Sequence, residues 1–259
     1  MKKSDFFKIL ILYYSGVGNT KMVAEKIFNI LKNRCDIIIV SVEKITENIN
    51  IIDHDALVIG FPTIHASPAK PIMDYIQQLQ PILKTIPTFI FTTCGLYSAN
   101  ALRILAKECI KRNITPILNK SYRCSATDGT LIAPFMEFWF RYEKKLDEKV
   151  IKDSEEFIKL LNKSYKISIP RFKIYSILNY PNKVLGEHFS PAIYVHKEKC
   201  ISCGKCITSC PTDNIYKDDK DYPVIHRDKC IHCYRCIHHC PKKALSLSQK
   251  RTPSKTLYF

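Results

Sequence analysis

The chain of 259 residues carries 40 Lys and Arg against 24 Asp and Glu, a formal net charge of +16, with 46% hydrophobic residues, 12 cysteines and only seven glycines. Its length fits roughly one to two domains with a sizeable core, and its balance of apolar and charged residues excludes a disordered or fibrous chain. It contains no run of about 18 apolar residues, which excludes a membrane-spanning helix, and its scattered basic residues match no nucleic-acid-binding motif.

The first apolar stretch, Phe6 to Tyr14, is interrupted by Lys8 and followed by no cleavage site, so it reads as a core strand and not as an export leader. A cytoplasmic location is the expectation. The strand, from Ile9 to Tyr14, leads into Ser15-Gly16-Val17-Gly18-Asn19-Thr20 and then into a helical pattern with Met22, Val23, Ile27, Ile30 and Leu31 on one face. A glycine loop between strand and helix closes tightly, offers amides and hydroxyls to phosphate oxygens, and gains positive potential from the helix N-terminus. A P-loop needs GxxxxGK[ST], and a dinucleotide fingerprint needs GxGxxG with a later acidic residue; neither is present. The loop therefore suits a terminal monophosphate, the alternative being a turn without a ligand.

The alternation continues with strands over Asp36 to Val42, Ala56 to Phe61, Thr88 to Thr93 and Thr115 to Tyr122, and helices over Lys70 to Leu79 and Ser98 to Arg112. Apolar strands alternating with amphipathic helices predict an α/β fold with a doubly wound parallel sheet. Ligands of such sheets bind beyond the carboxyl ends of the strands at the switch point, which singles out the loops Ser15 to Thr20, Gly60 to Ser67 and Thr92 to Ser98. Pro134, the aromatic run Phe135 to Tyr142 and the charged run Glu143 to Leu161 predict one long amphipathic segment that closes the sheet. From Lys166 to Ala192 the pattern breaks at Pro170, Pro181, Gly186 and Pro191, an aromatic-rich stretch that reads as an ordered linker.

Two strings then follow, Cys200-Ile-Ser-Cys203-Gly-Lys-Cys206-Ile-Thr-Ser-Cys210-Pro211 and Cys230-Ile-His-Cys233-Tyr-Arg-Cys236-Ile-His-His-Cys240-Pro241. Each reads C-x2-C-x2-C-x3-C-P. Soft thiolates suit iron-sulfur clusters, and such short spacers let one loop wrap three corners of a cubane. Zinc sites draw on C-x2-C pairs without the third cysteine, and disulfides need an oxidising compartment. Residues Thr212 to Lys229 between the strings are long enough for a β-hairpin. Cys35, Cys109 and Cys124 read as thiols without a role.

The cysteine strings resemble those of bacterial-type two-cluster ferredoxins. That resemblance implies that Cys200, Cys203, Cys206 and Cys240 hold one 4Fe-4S cluster, and Cys230, Cys233, Cys236 and Cys210 the other. Tyr13-Tyr14-Ser15-Gly16-Val17-Gly18-Asn19-Thr20 is similar to the phosphate loop of flavodoxins, which implies FMN as the organic cofactor. The same resemblance assigns Ser15, Gly16, Val17, Gly18, Asn19 and Thr20 to the phosphate. It assigns Phe61, Pro62, Thr63, Ile64 and His65, with Thr93, Cys94, Gly95 and Tyr97, to the flavin ring. His65 and Tyr97 are also candidates to donate protons or hydrogen bonds to the reduced ring.

Over nearly its whole length the chain resembles flavodoxin-ferredoxin fusion proteins of anaerobic bacteria and archaea. Tyr14 to Thr20, Gly60 to Pro62, Lys199 to Cys206, Lys229 to Cys236 and Cys240-Pro-Lys-Lys-Ala-Leu245 carry the match. The resemblance implies a flavodoxin-like domain over 1–165, a linker over 166–193, a small α+β two-cluster ferredoxin domain over 194–250 and a basic tail over 251–259. Two clusters bring the charge from +16 to about +12, and a flavin phosphate removes roughly two more, so the holoprotein stays basic. Such a field suits an acidic redox partner protein or a small-molecule electron acceptor. The first functional expectation is electron transfer between clusters and FMN; its rivals are a flavin-dependent reductase and a protein whose clusters are structural.

Overall fold

A computed structural model describes residues 6–45, 49–132, 142–163, 165–176, 191–226 and 228–257. In chain order the first part comprises β1 (Lys8–Tyr13), α1 (Asn19–Leu31), β2 (Asp36–Ser41), β3 (Ala56–Ile64), β4 (Ser67–Pro68), α2 (Lys70–Gln78), β5 (Ile86–Cys94), α3 (Ala101–Ile110), β6 (Ile114–Arg123), α4 (Thr127–Ile132) and α5 (Leu146–Leu161). Strand β1 explains the sheet's placement. Ile9 and Ile11 point to one face, Leu10 and Leu12 to the other, and all four are fully buried, as an apolar run in a sheet covered on both sides requires. Parallel pairing gives the order β2-β1-β3-β5-β6, with β4 folded back antiparallel on the end of β3.

Helices α1 and α5 cover one face with Val23, Ile27, Leu31, Val150 and Phe157, while α2 and α3 cover the other with Ile72, Ile76, Leu102 and Leu105. The winding reverses between β1 and β3, so the crevice lies at their carboxyl ends. α5 closes the sheet as expected and is fixed by Asp153, which accepts from the Tyr122 hydroxyl at 3.0 Å and pairs with Lys120 at 2.8 Å. Pro134 and most of the aromatic run, 133–141, lie outside the described residues.

Two strands run further than expected. β3 continues past Phe61 to Ile64 and β5 reaches one residue past Thr93 to Cys94, so Thr63, Ile64 and Cys94 sit on strand ends instead of in loops. Threonine hydroxyls extend the pairing there, because Thr92 donates to the Phe61 carbonyl at 3.0 Å and bonds Thr63 at 2.9 Å. The turn follows at His65 and Ala66, both left-handed at φ 47 and 59. In the expected linker, Ser168 donates its amide to Pro116 O at 2.7 Å, Arg103 donates to Pro170 O at 2.8 Å, and Asn100 accepts from the Lys173 amide at 2.9 Å. These bonds lay 168–173 along the sheet's edge; 177–190 lie outside the described residues.

The second part contains β7 (Tyr194–Val195), α6 (Lys205–Thr208), the hairpin β8 (Ile215–Lys217) and β9 (Pro223–Ile225), α7 (Arg235–His238) and β10 (Leu245–Ser246), which pairs with β7. Its backbone repeats. Ser202 and His232, Gly204 and Tyr234, and Asp213 and Lys243 are all left-handed, and the members of each pair stand 30 positions apart, as the cysteines of the two strings do. The C-terminal stretch returns to this unit: Lys199 donates to Thr252, and the Leu257 amide donates to His238 Nδ1 at 2.9 Å.

Candidate functional site

The glycine loop leaves the end of β1 where the Tyr14 amide donates to Gly60 O at 3.0 Å. Gly18, at φ 111, stands at the head of α1 in a conformation that favours glycine. Its amide donates to Ser15 Oγ at 3.1 Å, the Thr20 and Thr93 hydroxyls meet at 2.7 Å, and the Asn19 amide group donates to Ser125 O while accepting from the Tyr142 hydroxyl, both at 2.8 Å. The polar side chains thus brace the loop, leaving backbone amides and the α1 N-terminus, which has no acidic residue in its first turn, to attract an anion.

Above this loop a cavity with about 660 Å³ of empty space, partly open to solvent, brings the three expected loops together. Ser15, Gly16, Val17, Asn19 and Thr20 line it with Pro62, Thr63, Ile64 and His65 and with Thr93, Cys94 and Gly95. Gly95 permits a close approach, since a Cβ there would lie 2.5 Å from that of Ala126. Gly18 does not line the cavity. Phe61 and Tyr97 do not line it either: alternation along β3 turns Phe61 into the core, where it is fully buried, and Tyr97 is 43% exposed. Hydroxyls and helix amides at one end and apolar Pro62 and Ile64 at the other match a phosphate and a flavin ring.

Two further walls were not foreseen. Ser125 to Asp128, leading into α4, form one, and His232, Cys233 and Tyr234 from the second cysteine string form the other. The backbones touch, for a Cβ on Gly16 would lie 3.5 Å from Cys233 O. The His65 and His232 rings meet edge to face at 5.6 Å. Arg235 fastens the contact: its Nε donates to Gly16 O at 2.7 Å, Nη2 to Ser15 O at 2.6 Å, and Nη1 and Nη2 to the Glu43 carboxylate at 2.6 and 2.8 Å. His238 adds a second tie. Because its Nδ1 accepts from Leu257, its Nε2 carries the proton and donates to Thr127 O at 3.1 Å; burial pushes its pKa down to about 4.

The eight cysteines of the strings ring two cavities. Cys200, Cys203, Cys206 and Cys240 line one, Cys210, Cys230, Cys233 and Cys236 the other, and Cys233 and Tyr234 line both the latter and the cavity above the glycine loop. Equivalent amides point at the two crossing sulfurs, Asn214 N to Cys210 at 3.4 Å and Ala244 N to Cys240 at 3.2 Å. Burial and the neighbouring thiols push the Cys206 pKa up to about 11, and burial with Cys233 and Cys230 pushes Cys236 well up. Thiols so crowded ionise when a cationic core compensates them. Among the described residues no three His, Cys, Asp or Glu side chains converge closely enough for a single ion; four thiols spread around a cavity match the corners of a cubane. Cys35, Cys109 and Cys124 are buried away from these rings, and burial raises the pKa of each.

The family profile described as a flavodoxin domain matches residues 10–159, and that described as a 4Fe-4S dicluster domain matches 193–244. No curated protein matches the chain. Among solved structures it is similar to a flavodoxin from the domain Archaea (16% identity, 60% of this chain and 99% of that one, TM-score 0.46). It is also similar to flavodoxin 1 from Bacillus cereus (16%, 59% and 97%, TM-score 0.43) and to the rubredoxin oxygen:oxidoreductase from Desulfovibrio gigas (16%, 60% and 36%, TM-score 0.43). The matched domains and the donor sets agree on FMN and two 4Fe-4S clusters as cofactors. Since the first profile spans more than half of its length, the chain belongs to the flavodoxin family, and the dicluster domain that follows makes it a flavodoxin-ferredoxin fusion.

Proposed function

We propose that this chain passes electrons between an external redox partner and FMN through its two clusters, in a fixed order. The outer cluster is held by Cys200, Cys203, Cys206 and Cys240, the inner one by Cys230, Cys233, Cys236 and Cys210. The observation that carries the reading is that Cys233 and Tyr234 line both the inner ring of cysteines and the flavin cavity. When bound, the clusters supply one-electron chemistry and FMN one- or two-electron chemistry, so the pairing converts between them. The residues do the positioning. Arg235 holds the second cysteine string against the glycine loop, the 15–20 loop binds the phosphate, and His232 and Tyr234 keep water from the flavin's inner side. Residues 1–165 serve as the flavin unit, 166–193 as a linker, 194–250 as the cluster unit and 251–259 as a tail that braces it.

The outer ring supports a docking site for an acidic partner protein. Cys203 is exposed, Ile201 is 57% exposed, and Lys205 and Lys242 on the same rim form no ion pair among the described residues. The one acid lining the ring, Asp221, is paired with Lys217 at 2.8 Å. A cytoplasmic location fits this role, and no described helix is long and apolar enough to cross a membrane. A second reading, a flavin-dependent reductase, draws support from a cleft with about 1630 Å³ of empty space, partly open to solvent, that shares Ile64, His65 and His232 with the flavin cavity and carries Lys229 and the Asp74-paired Lys70 beside Asp228; the two lysines suit an anionic organic acceptor.

Anaerobic reduction by an acidic one-electron donor protein tests the outer entry. Reversing both rim charges, Lys205→Glu with Lys242→Glu, is expected to slow cluster reduction several-fold at low ionic strength and to flatten its salt dependence. Unchanged rates would rule out entry at this rim. Reversal of Lys70 and Lys229 that abolishes turnover of a small anionic acceptor, with the rim variant unaffected, would favour the reductase.

A further inference from the structure

Tyr14 is the last residue before the glycine loop and is fully buried. Its amide is used by Gly60, its ring lies under the Arg235 guanidinium at 5.3 Å, and its buried hydroxyl completes no hydrogen bond within the protein. Cys233 lies across the contact between the two units at this point: a Cβ on Gly16, two residues on, would lie 3.7 Å from the Cys233 Cβ, and the Tyr14 hydroxyl and the Cys233 thiol interact electrostatically. A thiol is a weak acceptor, which accounts for the incomplete bond; a thiolate coordinated to iron is a strong one.

We propose that Tyr14 donates a hydrogen bond to the sulfur of Cys233 and thereby raises the reduction potential of the inner cluster relative to the outer. The proton remains on the phenol oxygen throughout. A donor aimed at a cluster sulfur stabilises the more negative, reduced state, and hydrogen bonds to sulfur are among the features that set cluster potentials. Cys203, the counterpart of Cys233 in the first string, is exposed, and among the described residues none of the flavin unit lines the outer ring. The consequence is directional: an electron that enters at the rim rests preferentially at the cluster against the flavin. Tyr14 is here a positioning and tuning residue reaching across from the flavin unit.

The inference rests on Cys233 being a cluster ligand, as proposed above. Equilibrium EPR titration of the full-length holoprotein tests it without requiring electrons to reach the flavin, so a failure of the electron-transfer reading leaves this test intact. The signal belonging to Cys233 is identified by its loss in Cys233→Ser. In Tyr14→Phe the midpoint of that signal is expected to move to a more negative potential while the other cluster keeps its own. Site-specific 3-fluorotyrosine at position 14, a stronger donor of nearly the same size, is expected to move it in the positive direction. If the Phe variant fails to load its clusters, the fluorinated protein alone decides. No shift in a loaded variant, or an equal shift of both clusters, overturns the proposal.

Discussion

Tyr234 holds a left-handed backbone at φ 55 where the first cysteine string has Gly204 at φ 71. Such a conformation costs a residue with a Cβ about 1 kcal/mol or more, and the side chain repays it by being 4% exposed between the inner ring of cysteines and the flavin cavity. Tyr234→Gly is therefore expected to destabilise the protein by about 2 kcal/mol, because the loss of a buried aromatic, about 3 kcal/mol or more, exceeds the backbone relief. It is also expected to open the flavin to solvent. Chemical denaturation and iodide quenching of flavin fluorescence check the two effects, and quenching equal to that of the unaltered protein would deny Tyr234 its role as a wall. At the glycine loop, Gly18→Asp places a charged side chain at a left-handed position beside the phosphate and is expected to abolish FMN retention, measured by flavin released from purified protein. Stoichiometric flavin in that variant would move the phosphate elsewhere. The glycine loop, the other two sheet loops and the cysteines could be singled out in the sequence because each is a local pattern, whereas which of their residues line the cavity depends on strand alternation, which buries Phe61. His232 and Tyr234 were not, since their meaning depends on a contact with a loop over 200 residues earlier; the replacement of Gly204's equivalent by tyrosine was the one trace in the sequence.

The same distinction holds for the elements. Alternation along β1 and the nine buried residues of β5 followed directly from apolar runs. The ends of β3 and β5 did not, because Thr63 and Cys94 fell in expected loops, and only the pairing of the Thr63 hydroxyl with Thr92 ties the end of β3 to β5. α7 shows how a short element gains its importance from one side chain: Arg235 spends its five donors on Ser15, Gly16, Ser209 and the Glu43 carboxylate. Arg235→Ala leaves Glu43 and three carbonyls without their partner and is expected to weaken the contact by about 3 kcal/mol, visible as a second, earlier transition in calorimetry of the holoprotein. A single unchanged transition would show that the contact is held by other groups. The crossed arrangement of the cysteine rings predicts that Cys210→Ser damages the cluster of Cys230, Cys233 and Cys236. Iron analysis with EPR checks this, and selective loss of the cluster of Cys200, Cys203 and Cys206 would contradict the crossing.

For the molecule as a whole, composition bounded the class, and two local motifs named the cofactors, but nothing in either motif announced that the second cysteine string would wall the flavin cavity. That contact makes the proposed circuit intramolecular, and the most direct measurement is the concentration dependence of flavin reduction. When the clusters of the intact holoprotein are reduced rapidly in an anaerobic stopped-flow experiment, flavin bleaching is expected to follow at a rate that does not change with protein concentration and that falls in Arg235→Ala. A rate rising in proportion to protein concentration, or a flavin that stays oxidised beside reduced clusters, would contradict the account.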